Sequence, residues 1–183
     1  MLFCECIPYP MQDWLDEHPT GKAETVERQL AQIVAFLRSR GLLHMDGHFG
    51  NMRTDGKRIY LSDFGLATSP CFDLSAAEHD FARRNSTHDA GYAAMQLTNW
   101  LVTAVCGVPV PASGGPTAAR NEYVLACATG DIPDGVPPTV AAILRQHAAA
   151  AAARMNSFYW KLKLFGGEVD ADYLAHTADG QTP

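Results

Sequence analysis

An Asp-Gly pair set between two short β-prone runs constrains the middle of this 183-residue chain. Met52 and Arg53 lead into Thr54-Asp55-Gly56-Lys57, and Arg58 to Ser62 lead out. Such a pair is a tight-hairpin signal, because short hairpin turns need positive φ, which Gly and Asp accept most readily. The hairpin folds the chain back, so Asn51 before it and Asp63 after it lie side by side at its open end. Asp46 sits on the loop just ahead. An amide oxygen and a carboxylate suit Mg2+, and a separate carboxylate beside them suits a general base. The stretch runs from Gly41 to Ala67, GLLHMDGHFGNMRTDGKRIYLSDFGLA, and the remaining chain reads as its support.

Lys22 to Arg40 predicts an amphipathic helix. Val26, Leu30, Ile33, Val34 and Leu37 recur at three- and four-residue steps, while Glu24, Glu27, Arg28 and Arg38 fall elsewhere. Gly41 stops that helix and delivers the chain to the loop. Upstream, Met1–Ile7 reads as a strand ended by Pro8-Tyr9-Pro10, and Met11–His18 as a short helix closed by Pro19. Downstream, Ser69–Asp73 reads as a turn and Ser75–Arg84 as a short charged helix. Asp89–Val105 is apolar on most faces and predicts a buried central helix. Cys106–Arg120 and Asp131–Pro138 are Gly/Pro-rich loops flanking a short helix over Asn121–Thr129. Thr139 fits an N-cap for a helix reaching about Phe165, with Ala148–Ala153 as a narrow close-packing run. Phe158, Tyr159, Trp160, Leu162, Leu164 and Phe165 read as a terminal helix docking on the core, with a substrate or partner surface as the alternative. Gly166 and Gly167 end it, and Asp179–Pro183 is a frayed tail. The fold class is mainly α, with a short β-hairpin (α+β).

Composition narrows the function. At 47% hydrophobic residues the chain is globular, and a net charge of −6 argues against a nucleic-acid-binding surface. MLFCECIPYP lacks the basic and long apolar regions of a signal peptide, and no stretch is apolar for long enough to span a bilayer. Cys4, Cys6, Cys71, Cys106 and Cys127 are odd in number and scattered, as free thiols in a reducing cytoplasm are. Cys4-x-Cys6 has no second pair at metal-ligand spacing.

His44-x-Asp46-x-x-x-x-Asn51, followed after a hairpin by Asp63-Phe64-Gly65, resembles the catalytic and magnesium loops of the protein-kinase-like superfamily. The resemblance implies the large helical lobe of such an enzyme over 1–165, with 166–183 as a tail. Residues 1–10 then give the hinge strand and connection, 22–40 the preceding helix, 41–67 the two loops and 68–165 a helical subdomain. It implies ATP and Mg2+ as cofactors and transfer of the γ-phosphate to a hydroxyl on a protein or small molecule. Asp46 would orient or accept the hydroxyl proton, and Asn51 and Asp63 would hold the metal. Glu5, Cys6 and Ile7 fall near the hinge, where backbone groups bind adenine. His44 reads as structural, Phe64 as packed inward, Gly65 as the point where the backbone turns sharply, and Asp89 as the acidic residue that receives loop N–H groups.

Some positions depart from the protein-kinase pattern. Met45 stands where an arginine is usual, so control by a phosphorylated activation loop is not implied. His48 replaces a lysine, and His-x-Asp-x-His-x-x-Asn is similar to aminoglycoside phosphotransferases and choline-kinase-like enzymes. His48 either helps neutralise the transferring phosphate or only bonds backbone. No Ala-Pro-Glu-like anchor for a peptide substrate stands between Thr68 and Ala90, and no Gly-x-Gly-x-x-Gly precedes His44. The small N-terminal lobe is thus expected to be absent, leaving a lobe weak or inactive alone and self-associating through the uncovered apolar face. Two alternatives come from other classes. One is a non-catalytic pseudokinase or scaffold; the other is a metallohydrolase with His44, Asp46 and His48 on one face of a strand.

Overall fold

The computed structural model describes residues 5–18, 21–110, 118–147 and 152–157. The elements run β1 (Tyr9–Pro10), α1 (Met11–Glu17), α2 (Ala23–Ser39), β2 (Met52–Thr54), β3 (Ile59–Leu61), α3 (Ala76–Arg84), α4 (His88–Ala104), α5 (Ala118–Ala128) and α6 (Pro138–His147). Residues 152–157 are also helical. The fold is mainly helical with one small antiparallel sheet in the order β1-β2-β3. No helix among the described residues is long and apolar enough to cross a membrane.

The hairpin forms where the Asp-Gly pair predicts it, with Met52 opposite Leu61, Arg53 opposite Tyr60 and Thr54 opposite Ile59. Gly56 takes φ +85° at the turn. Asp55 Oδ1 accepts the N–H groups of Lys57 and Arg58, both at 2.7 Å, and Tyr60 donates its hydroxyl to Oδ2 at 3.0 Å. These donors, the Arg58 N–H first, hold the Asp55 carboxyl below its usual range. On the other side Gln29 of α2 donates to the Lys57 carbonyl at 2.8 Å and accepts from the Ile59 N–H at 2.7 Å. One side chain thus ties the hairpin to the long helix beneath it.

Of the strand expected over Met1–Ile7, residues 1–4 lie outside the described residues. Glu5–Ile7 are irregular, and the pairing residues are Tyr9 and Pro10, opposite Thr54 and Arg53. Proline has no N–H to give a ladder, and an edge strand of two residues tolerates that. Arg53 supplies the missing attachment: its Nε donates to the Ile7 carbonyl at 2.6 Å and its Nη2 to the Pro8 carbonyl at 3.0 Å.

Helix α2 buries Ala23, Val26, Leu30 and Leu37. It ends as the sequence predicts: Gly41 at φ +61° donates to the Arg38 carbonyl at 3.0 Å, and Leu42 to Leu37 at 3.0 Å. That is a Schellman ending, which needs a left-handed residue at Gly41. Ser75 and Glu78 close a capping box at the start of α3. Helix α4 is central. It packs on α2, α5 and α6, and buries Tyr92, Met95, Leu97, Trp100, Leu101 and Val102. Asn99 and Asn156 exchange two amide hydrogen bonds of 2.8 Å, fastening 152–157 to it.

One helix start differs from expectation. α6 opens at Pro138, one residue before Thr139, because a first-turn proline has no hydrogen bond to lose and the right φ already. Its described residues run to His147, which meets Glu27 of α2 at 2.7 Å. The Ala148–Ala151 part of the alanine run, the Phe158–Phe165 cluster and the tail lie outside the described residues.

Candidate functional site

The segment carrying the three acidic and amide groups is pinned at both ends. Leu43 and Thr68 exchange N–H to carbonyl hydrogen bonds of 2.8 Å, closing the neck of the intervening stretch. Above that neck, Asp89 at the start of α4 accepts the His44 N–H at 2.7 Å and the Met45 N–H at 2.9 Å, one on each carboxylate oxygen. His88 Nε2 lies 3.1 Å from the Met45 carbonyl. Met45 holds φ +67°, a left-handed conformation that a side-chain-bearing residue adopts at a cost of about 1–3 kcal/mol. Contacts from α4 to both its N–H and its carbonyl hold it there.

His44 is fully buried. Its Nε2 faces the Ser62 carbonyl at 3.0 Å. A carbonyl only accepts, so that nitrogen carries the proton and Nδ1 accepts the Asp46 N–H at 3.3 Å. Both ring nitrogens are therefore committed to backbone. The positive φ at Met45 also breaks strand alternation, so His44, Asp46 and His48 do not share a strand face. No group of three His, Cys, Asp or Glu residues among the described residues could hold a metal ion. The zinc-type alternative fails on this geometry.

Asp46 and Asn51 are joined directly. Asn51 Nδ2 donates to the Asp46 carboxylate and to the Asp46 carbonyl, both at 2.9 Å. This fixes the amide orientation, so the Asn51 oxygen faces away from Asp46. The other Asp46 oxygen lies 3.7 Å from His48 Nε2. His48 Nδ1 accepts the Gly50 N–H at 2.9 Å, which leaves the proton of the neutral ring on Nε2, toward Asp46. A Cβ on residue 50 would stand 2.7 Å from His48 Cε1, so Gly50 is what lets the ring fold back. In Gly50→Ala the half-exposed ring swings out at less than about 1 kcal/mol in stability. Nitrogen-15 NMR of the imidazole then shows His48 without its fixed tautomer.

Asn51 and Ser62 bridge the open end of the hairpin: the Ser62 N–H and hydroxyl both donate to the Asn51 carbonyl at 2.9 Å. Asp63 follows at once, with φ +56°. The left-handed residue is therefore Asp63, not Gly65, whose N–H instead donates to Asp63 Oδ1 at 3.3 Å. Phe64 is not packed inward. It is 48% exposed, with one edge on the His44 ring at 4.7 Å between centroids. An amide oxygen and a carboxylate at one hairpin end form the hard-oxygen donor set that Mg2+ takes, so these residues fit that ion.

Beside this end lies a groove of about 510 Å³ lined by Glu5, Cys6 and Ile7 on one side and Arg53, Tyr60, Leu61 and Ser62 on the other. The volume suits a small ligand. Ser62 links groove and loop, since it lines the first, bonds Asn51 and precedes Asp63.

Sequence reasoning missed Gln29, Arg53 and His88. His88 had one available signal, its place beside Asp89 at a helix start. Burial lowers its pKa from the ordinary 6.5, outweighing the opposing pull of Asp89. Below pH 6.5 the unfolded chain takes up this proton while the folded chain resists it, so stability present above that pH is lost as pH falls toward the folded value. Urea unfolding between neutral pH and about pH 5 tests this. His88→Gln flattens the dependence relative to the parent.

No protein-family model matches the chain. Over 70 residues it is 37% identical to the eIF-2-alpha kinase GCN2 of Schizosaccharomyces pombe. The match takes in 37% of this chain and 4% of that much longer protein. The similarity to a protein kinase is therefore partial.

Proposed function

We propose that the Asp46–Asn51–Asp63 arrangement is the phosphoryl-transfer site of a protein-kinase-like phosphotransferase. Its donor is a magnesium nucleoside triphosphate, ATP by resemblance, and its acceptor is a hydroxyl on a protein or small molecule. The observation that carries this is the double hydrogen bond from Asn51 to Asp46. It turns the Asn51 oxygen away from the base, which leaves that oxygen for a metal. Partial similarity to a protein kinase supports the same reading.

Asp46 would accept or orient the acceptor hydroxyl proton as its oxygen bonds the terminal phosphorus, while the bond from that phosphorus to the leaving diphosphate breaks. Asn51 and Asp63 would hold Mg2+, which when bound neutralises charge on the phosphates. His48, with Nε2 near Asp46, would donate to a phosphate oxygen. Asp89 and His88 act at one remove by fixing Met45, and so the direction of Asp46. The groove beside Ser62 would take the nucleotide base, with Glu5, Cys6 and Ile7 along its wall.

Paramagnetic mapping tests the metal assignment. Mn2+ titrated with nucleotide present broadens the amide signals of Asn51, Ser62 and Asp63 first, and Asp63→Ala abolishes the effect. Broadening centred elsewhere would remove the metal role from these residues.

A further inference from the structure

The groove that would hold the base has an uneven set of hydrogen-bonding groups. The Ile7 carbonyl in its wall accepts a hydrogen bond from Arg53 Nε, and the Pro8 carbonyl next in the chain accepts one from Nη2. The Tyr60 hydroxyl is spent on Asp55, and the Ser62 hydroxyl on the Asn51 carbonyl. Two charged side chains in the lining remain, Arg53 on the hairpin and Glu5 on the connection. Neither forms an ion pair among the described residues. A guanidinium has five N–H groups, and Arg53 uses two of them on carbonyls. Its other donors are left for a ligand. Glu5, when ionised, only accepts.

We propose that this groove prefers a guanine base over adenine, with Arg53 and Glu5 as the discriminating residues; this rests on the reading of the groove as the nucleotide-base site. Guanine presents two acceptors, O6 and N7, which match an arginine fork. It also carries an N1–H and an amino group, which match a carboxylate. Adenine carries an amino group in place of O6, so that its donor meets the Arg53 cation. Its unprotonated N1 would face Glu5, acceptor against acceptor. Ile7 and Leu61 give either ring the same apolar contact, so the polar groups decide.

The test compares Mg-GTP with Mg-ATP binding to the whole 183-residue chain by calorimetry at millimolar nucleotide. The triphosphate and ribose are common to both, so the difference reports the base. GTP is expected to bind about tenfold tighter, the scale of one good arginine–guanine pair. Arg53→Leu brings the two within about twofold, and Glu5→Gln weakens GTP while strengthening ATP, because the Gln amide can donate to adenine N1. Because Arg53 also attaches the chain ahead of β1, Arg53→Lys serves where the leucine variant fails to fold; it keeps the charge, loses the fork and loses the preference. ATP binding as tightly as GTP would overturn the guanine assignment and leave the nucleotide site standing. Binding of neither nucleotide would overturn the base-site reading and the guanine assignment with it.

Discussion

Asp89→Ala is expected to destabilise the chain by about 3 kcal/mol, since each hydrogen bond to a charged acceptor contributes about 1.5–3 kcal/mol. The carboxylate takes two backbone N–H groups, of His44 and Met45, at 2.7 and 2.9 Å. Alanine leaves both without their acceptor and removes one of the two restraints on the left-handed Met45. The loop then relaxes toward an ordinary φ, and Asp46 turns with it. Asn at position 89 keeps one good acceptor and loses about half as much. Urea unfolding measures the loss, and hydrogen exchange at amides 44 and 45 places it. A change below about 0.5 kcal/mol would mean that other contacts hold the loop.

Leu101→Ala is expected to cost about 3 kcal/mol, within the usual 2–5 for a buried leucine. Leu101 has no exposed surface and sits on the central helix, which packs on α2, α5 and α6. The cavity would open between elements that cannot all close on it. Its effect differs in kind from that of Asp89: stability falls, while residual folded protein keeps its loop geometry. Phe36→Ala is the contrast, because that ring is 58% exposed and its loss costs less than about 0.5 kcal/mol.

Local signals carried the sequence reading well. Asp55-Gly56 placed the hairpin, Gly41 placed the end of α2, and the charged run from Ser75 to Arg84 placed α3. Each device acts within a few residues of itself. The apolar faces of 89–105 likewise marked α4 as the buried helix. Long-range side-chain bonds were not legible. Gln29 reaches a hairpin 28 to 30 residues away, and nothing near it in the chain points there. Arg53 looked like an ordinary strand residue, yet it ties down a connection 45 and 46 residues upstream. The Tyr9–Pro10 pairing was not legible either, because Pro8-Tyr9-Pro10 reads as the end of a strand, and only a short edge tolerates proline in the ladder. The turn at Asp63 was misread for a related reason. Glycine at 65 drew attention, but the left-handed residue is an aspartate, whose short polar side chain tolerates that region.

The most direct test of the phosphoryl-transfer site is a thermal shift of the 183-residue chain with Mg2+ and ATP or GTP, beside Asp63→Ala. Stabilisation of the parent by at least one nucleotide, dependent on Mg2+ and lost in the variant, is the expected result. A parent that does not respond, or a variant that responds equally, would contradict a metal–nucleotide site at this hairpin. The Asp46–Asn51–Asp63 cluster would then be architecture without chemistry.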